Sequence, residues 1–240
     1  MQADQYRQQD REDRTLDSLA YASKVGSNKE KKCLDGTRSE ILSEVVDWIT
    51  NTDLLCSLSF GLMDLEAGKG KFAIAHTIAH HARNLGLLGP CFYFTRVKLA
   101  EGLHTKLFLT IARDLADRAL RLRAPLTDVI TKNRSLMDTE DVAEQWENFI
   151  VEFLSRLRGF STGVIVEVID ALDESGAEAT RAPVLEALIA SDAKLPANIR
   201  ILLTSRPLVD IWEALNASQH VFIRSLDDID TESTTRDIVM

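Results

Sequence analysis

Apolar positions along this chain repeat with two different periods, and the switches between them mark its elements. Residues 1–15 are polar and charge-mixed with no apolar face, which reads as a disordered arm or a frayed helix. A weak apolar spacing over 16–25 ends in the loop G-S-N-K-E-K-K. Ile41, Leu42, Val45, Val46, Trp48 and Ile49 then share one helical side, with Thr37 or Ser39 placed to cap it. Residues 54–63 are a strand candidate. Phe72, Ala75, Ile78, Ala79 and Ala82 predict a helix over 70–85 stopped by Gly86. The turn residues Gly89-Pro90 precede a short aromatic strand over 91–95.

Leu103, Leu107, Ile111 and Leu115 recur every four residues, a second helix starts near Pro125, and a third runs from Val142 through Trp146, Phe149, Ile150 and Phe153 to Leu157. The apolar run over 163–169, a helix over 181–190, a strand over 199–204, a helix after Pro207 and a short strand over 220–223 complete the pattern. Short β-branched runs alternating with helices predict an α/β protein, a mostly parallel sheet with helices on both faces.

Composition narrows the partners. The chain has 240 residues, enough for a sizeable core, and its net charge of −9 argues against nucleic acid or an anionic membrane as the main partner. No apolar run approaches the length needed to span a bilayer, and the polar N-terminus is no secretory signal, so a cytoplasmic location is expected. Cys33, Cys56 and Cys91 are too scattered for a disulfide framework or a zinc site.

Candidate chemistry begins at L-E-A-G-K-G-K-F, residues 65–72, where a strand gives way to a helix. Such a junction aims backbone N–H groups and the positive end of the helix dipole at an anion. Gly68 and Gly70 allow close backbone approach to phosphate, Lys71 is placed to reach the β/γ-phosphates, and Lys69 adds a second charge. The pattern G-x-x-x-x-G-K-[ST] asks for glycine at Leu65 and a hydroxyl at Phe72. Taken alone, the loop reads equally well as a glycine turn with solvated lysines.

Downstream, V-I-V-E-V-I-D-A-L-D-E over 164–174 is an apolar strand ending in Asp170, with Asp173 and Glu174 close behind. An acid at a strand end near a phosphate loop holds Mg²⁺, and a further acid can orient the attacking water. Glu167 is out of place, because a carboxylate inside a central strand costs several kcal/mol unless paired or neutralised. It predicts a local irregularity or an edge position. A third strand, I-L-L-T-S-R-P over 201–207, delivers Thr204, Ser205 and Arg206 to its end, where a cation can sense a terminal phosphate.

The ordered segments C-L-D-G-T-R-S-E-I-L-S-E-V-V-D-W-I, A-G-K-G-K, F-Y-F-T-R, L-F-L-T-I-A-R-D-L-A, V-I-D-A-L-D-E and L-L-T-S-R-P resemble fungal NACHT domains, signal-transduction ATPases also classed as nephrocystin-like N-terminal P-loop domains. The resemblance implies a three-layer P-loop NTPase fold over 33–226, flanked by a polar, partly disordered arm at 1–32 and a short tail at 227–240. It implies a domain that binds ATP or ADP with Mg²⁺ as a signalling switch and assembles into homo- or hetero-oligomers. By matching position, Gly68, Lys69, Gly70 and Lys71 hold phosphate, Asp170 binds Mg²⁺, Asp173 and Glu174 serve the hydrolytic water, and Arg206 senses the γ-phosphate. Arg96 also faces the site.

Phe72 and Leu65 depart from the family pattern and predict impaired hydrolysis, at most a weak triphosphatase. The alternative expectation is a pseudo-NTPase interaction module or truncated paralogue without turnover, since the family continues into a winged helix and a repeat sensor while this sequence closes at R-D-I-V-M. Adjacent His80 and His81 point apart on a helix and make a poor metal pair. There is no G-x-S-x-G elbow, and no N-K-x-D motif follows the loop to support guanine recognition.

Overall fold

The computed structural model describes residues 2–19, 32–51, 53, 56–65, 70–96, 102–118, 120–156, 163–190 and 195–228. Its elements are α1 (Gln2–Asp17), α2 (Ser39–Thr50), β1 (Ser59–Met63), α3 (Lys71–Asn84), β2 (Leu88–Tyr93), α4 (Leu107–Arg118), α5 (Arg123–Lys132), α6 (Val142–Gln145), α7 (Phe153–Ser155), β3 (Ile165–Asp170), α8 (Glu178–Ile189), β4 (Ile199–Ser205), α9 (Val209–Ala217) and β5 (Val221–Ser225). The five strands form one sheet in the order β2-β3-β4-β1-β5, and every pairing is parallel. The α/β expectation holds.

Successive side chains of a strand point to opposite faces, and here each face has its own apolar layer. Phe60, Leu62, Val166, Val168 and Leu202 pack with Ile41, Val45 and Trp48 of α2 and Ile74, Ile78 and Ala82 of α3. Ile169, Ile199, Ile201 and Leu203 pack with α4, α5, α8 and α9 on the other side. Burial of both faces is why the strands read as near-continuous apolar runs. Between α6 and α7 the chain winds as a π-helix, Trp146–Glu152, which turns Trp146, Phe149 and Ile150 into the second layer. Leu157, expected in that helix, lies outside the described residues.

The polar arm is helical through α1, and its last turn packs against the domain. Leu16 is fully buried, Asp17 pairs with Arg113 at 2.9 Å, and Asp13 pairs with Arg123. Ion pairs hold this helix where an apolar stripe is missing.

Three local expectations are corrected. The residue capping α2 is Arg38, in the left-handed region at φ 56°, ψ 26°; the Thr37 hydroxyl instead donates to the Leu34 carbonyl at 2.7 Å. Gly89-Pro90 is inside β2, not a turn before it. Leu88 pairs with Val166 and Cys91 with Val168, so Gly89 and Pro90 together oppose Glu167 in a bulge. β2 is an edge strand, which tolerates a proline that has no N–H to donate. Gly89 is needed there, because a Cβ would stand 2.8 Å from Ile165 Cγ2 and 3.0 Å from the Val166 carbonyl oxygen.

Neither outcome anticipated for Glu167 holds: β3 lies inside the sheet between β2 and β4, and the bulge opposite Glu167 belongs to β2. Glu167 itself is in regular register with Ile201. It is 6 % exposed, and burial pushes its carboxyl up to about 8.

Candidate functional site

In an open parallel sheet, ligands bind beyond the C-terminal strand ends, where the outgoing connections diverge. Here β1 leads through α3 across the sheet to β2, while β4 leads through α9 the other way to β5. Because β1 and β4 are neighbours, the crevice lies at their ends. β4 also adjoins β3, so Thr204, Ser205 and Arg206 emerge between the loop after β1 and the acids after β3.

β1 runs into Asp64, whose side chain is fully buried, and Leu65. The Leu65 N–H donates to Asp227 Oδ2 at 3.1 Å, from the turn after β5. Leu65 is not among the described residues with positive φ, so leucine there carries no left-handed strain. Gly68 and Lys69 lie outside the described residues. Gly70 caps α3 at φ +94°, a conformation that suits glycine because it has no Cβ. Lys71 follows as the first residue of α3. Its Nζ donates to the Asp64 carbonyl at 3.1 Å and stands 3.5 Å from Asp64 Oδ2. The ammonium is thus folded back onto the end of β1.

Phe72, next on α3, is 39 % exposed and directs its ring to the end of β2. The ring meets His76 edge-on at 4.2 Å, and His76 stacks on Tyr93 at 4.3 Å. Tyr93 is the register partner of Asp170. Burial raises the Tyr93 phenol strongly and pushes the nearby Cys91 thiol up to about 12, so neither ionises near neutral pH.

Asp170 ends β3 at 2 % exposure. The Thr204 hydroxyl donates to its Oδ1 at 2.5 Å and accepts from the Ala171 N–H at 3.0 Å, tying β3 to β4. Burial pushes the Asp170 carboxyl up to about 6; the Thr204 hydrogen bond opposes the shift, Asp173 and Glu174 add to it, and Lys71 opposes it. These couplings place the predicted acids and Lys71 in one electrostatic neighbourhood. Ala171 turns the chain out of β3 through the left-handed region at φ 57°.

The remaining predicted residues form two ion pairs. Arg206 Nε donates to Asp173 Oδ2 at 2.6 Å, and the Arg206 backbone N–H donates to Asp173 Oδ1 at 3.1 Å. The Arg96 N–H donates to Glu174 Oε2 at 3.1 Å, with Arg96 Nε 3.5 Å from Glu174 Oε1. Buried Arg181 of α8 braces this corner. It donates to Asp210 Oδ2 at 2.8 Å and to the Gly176 carbonyl at 2.7 Å, which joins the acidic turn to α9.

Sequence reasoning missed Asp64, Asp227, Arg181 and Arg38. The signal for Asp64 was available, as an acid directly after an apolar strand. Arg38, from the G-T-R segment before α2, reaches the loop: its Nε is 3.8 Å from where a Cβ on Gly70 would be.

Mg²⁺ in such a loop is held by the hydroxyl after the lysine and by the strand-end acid. Phe72 has no oxygen, and one Asp170 oxygen is already engaged by Thr204. These residues do not fit the ion. Among the described residues no group of three His, Cys, Asp or Glu is placed to hold a metal, and no helix is long and apolar enough to cross a membrane.

No curated protein sequence matches the chain. Residues 36–206 match the family described as nephrocystin 3, N-terminal, a span that opens just before Arg38 and closes at Arg206. The chain belongs to the nephrocystin 3 N-terminal family.

Proposed function

We propose that this chain is a NACHT-type switch module that binds ATP or ADP at the Lys71 loop and hydrolyses ATP poorly. The observation carrying this reading is the meeting of three strand ends. Gly70 and Lys71 open α3 beside β4, and β4 brings Thr204 and Arg206 between that loop and Asp170. A helix N-terminus, a lysine and an arginine offer phosphate both dipole and charge. Asp173 and Glu174 are each occupied by an arginine. A terminal phosphate that draws Arg206 and Arg96 toward itself releases those carboxylates, which gives the site two states. Location in the cytoplasm and assembly with further NACHT-type domains belong to the same reading.

Titration calorimetry of the folded chain with ADP and with ATP tests it. Micromolar affinity is expected, a binding free energy of about −8 kcal/mol. Absence of heat with both nucleotides overturns the reading.

Phe72 favours the weak-turnover part specifically, because it removes an oxygen from the phosphate site. Reverting the loop with Phe72→Ser and Leu65→Gly together is expected to speed phosphate release at least about tenfold, a barrier change of roughly 1.4 kcal/mol. A native chain already as fast as the revertant contradicts impaired hydrolysis.

A further inference from the structure

The misfit of magnesium has a counterpart in the cations that this chain does bring to the loop. Magnesium prefers six oxygens in near-octahedral array and sheds water reluctantly. Of the nearby acids, Asp173 and Glu174 are paired with arginines and Asp64 stands beside Lys71, while Asp170 is 2 % exposed with Oδ1 held 2.5 Å from the Thr204 hydroxyl. Beside it, where a hydrated ion needs an oxygen, the chain presents the Phe72 ring, 6.0 Å from Tyr93 at the Asp170 register position. A single remaining carboxylate oxygen is a poor return for dehydrating the ion.

Arg38 adjoins Gly70 at the start of α3. Its Nε approaches the Gly70 Cβ position to 3.8 Å, close to the turn from which Lys71 departs. Arg38 also holds a left-handed backbone at φ 56°, which costs a non-glycine residue roughly 1 kcal/mol or more. Buried Ile41, Val45 and Trp48 anchor α2, which begins at the next residue. A guanidinium presents a planar fork of N–H donors suited to phosphate oxygens.

We propose that the chain binds nucleoside di- and triphosphates as the metal-free species, with the Arg38 guanidinium and the Lys71 ammonium taking the phosphate charge that magnesium carries in hydroxyl-bearing loops. This inference rests on the nucleotide-binding reading above. Chelation lowers the negative charge offered to the two side chains and adds a water shell that the Phe72 ring cannot hydrogen-bond. Magnesium therefore adds no affinity and competes with the site for the nucleotide.

The test is calorimetric titration of the whole chain with ADP and with ATP, once in EDTA and once in excess Mg²⁺. Equal or tighter binding in EDTA is expected. Phe72→Ser restores an oxygen and is expected to make magnesium tighten binding about tenfold, whereas Phe72→Leu keeps the indifference of the native chain. Arg38→Ala is expected to weaken binding in EDTA about tenfold, and Arg38→Lys to recover part of that loss. A cooperative melt for each variant confirms that it folds. The inference is overturned if magnesium tightens native binding about threefold or more, or if folded Arg38→Ala binds as the native chain does. Silence in both buffers from a cooperatively melting native chain overturns the nucleotide-binding reading itself, and this inference with it.

Discussion

Lys71→Ala is expected to weaken ADP and ATP binding at least about a hundredfold, a loss of roughly 3 kcal/mol. The side chain is only 13 % exposed, so its charge acts on a phosphate with little screening by water. The same substitution has a second consequence. Asp64 is fully buried 3.5 Å from the ammonium, and removing the lysine leaves a carboxylate in the sheet end without that countercharge. Breaking one side of a buried pair costs on the order of 3–5 kcal/mol, so loss of binding in the single variant is confounded by loss of stability.

The double variant Lys71→Ala with Asp64→Asn separates the two effects. It removes the stranded charge, and its melting temperature is expected to return toward that of the native chain while calorimetry still finds no tight binding. Recovery of affinity together with stability assigns Lys71 a structural role only.

The β-sheet was largely legible in the sequence, for a physical reason. β3 and β4 are buried on both faces and so present continuous apolar runs that no surface helix shows. β2 was misplaced because Gly89-Pro90 has the chemistry of a turn. Only its position beside the Ile165 side chain and the Val166 carbonyl reveals a bulge on an edge strand. The π-helix at 146–152 was unreadable because its apolar positions suit an α-helix almost as well. Likewise α1 has no apolar stripe to read, and its pairing of Asp13 and Asp17 with Arg123 and Arg113 joins residues far apart in the chain.

For the site, motif reasoning picked Lys71, Asp170, Asp173, Glu174 and Arg206, which stand at neighbouring strand ends, with Gly68 and Lys69 outside the described residues, but it missed how they engage one another. Asp173 and Arg206, given separate tasks, neutralise each other at 2.6 Å, and Glu174 is held by Arg96. Those pairings follow from β4 lying next to β3, which no local spacing encodes. Arg38 was hidden for a related reason: its approach to Gly70 depends on how α2 packs against α3. Residues adjoining a strand end are thus readable from sequence, while their partners require the strand order.

Glu167 is the residue that the proposed function leaves unused, and it makes the second large prediction. Its carboxyl faces the layer of α4 and α8 from the middle of the sheet, and among the described residues no hydrogen bond or ion pair engages it. Burial raises it from the ordinary 4.5 to about 8 in the folded chain. Between those two values the unfolded chain has released this proton and the folded chain keeps it, so stability must fall as pH rises through that window. At about 1.4 kcal/mol per pH unit the total approaches several kcal/mol and levels off above pH ~8. Asp170 acts with the same sign, but only up to about 6.

Glu167→Gln keeps the shape and removes the titration. The variant is therefore expected to match the native chain near pH 5 and to exceed it near pH 8 by on the order of 3–4 kcal/mol, which corresponds to a melting temperature about 10 °C higher. Between pH 6 and pH 8 the native melting temperature slopes downward and that of the variant stays level. Parallel slopes in that interval mean that Glu167 ionises in the fold at an ordinary pH, through water or a partner that reaches it in the middle of the sheet.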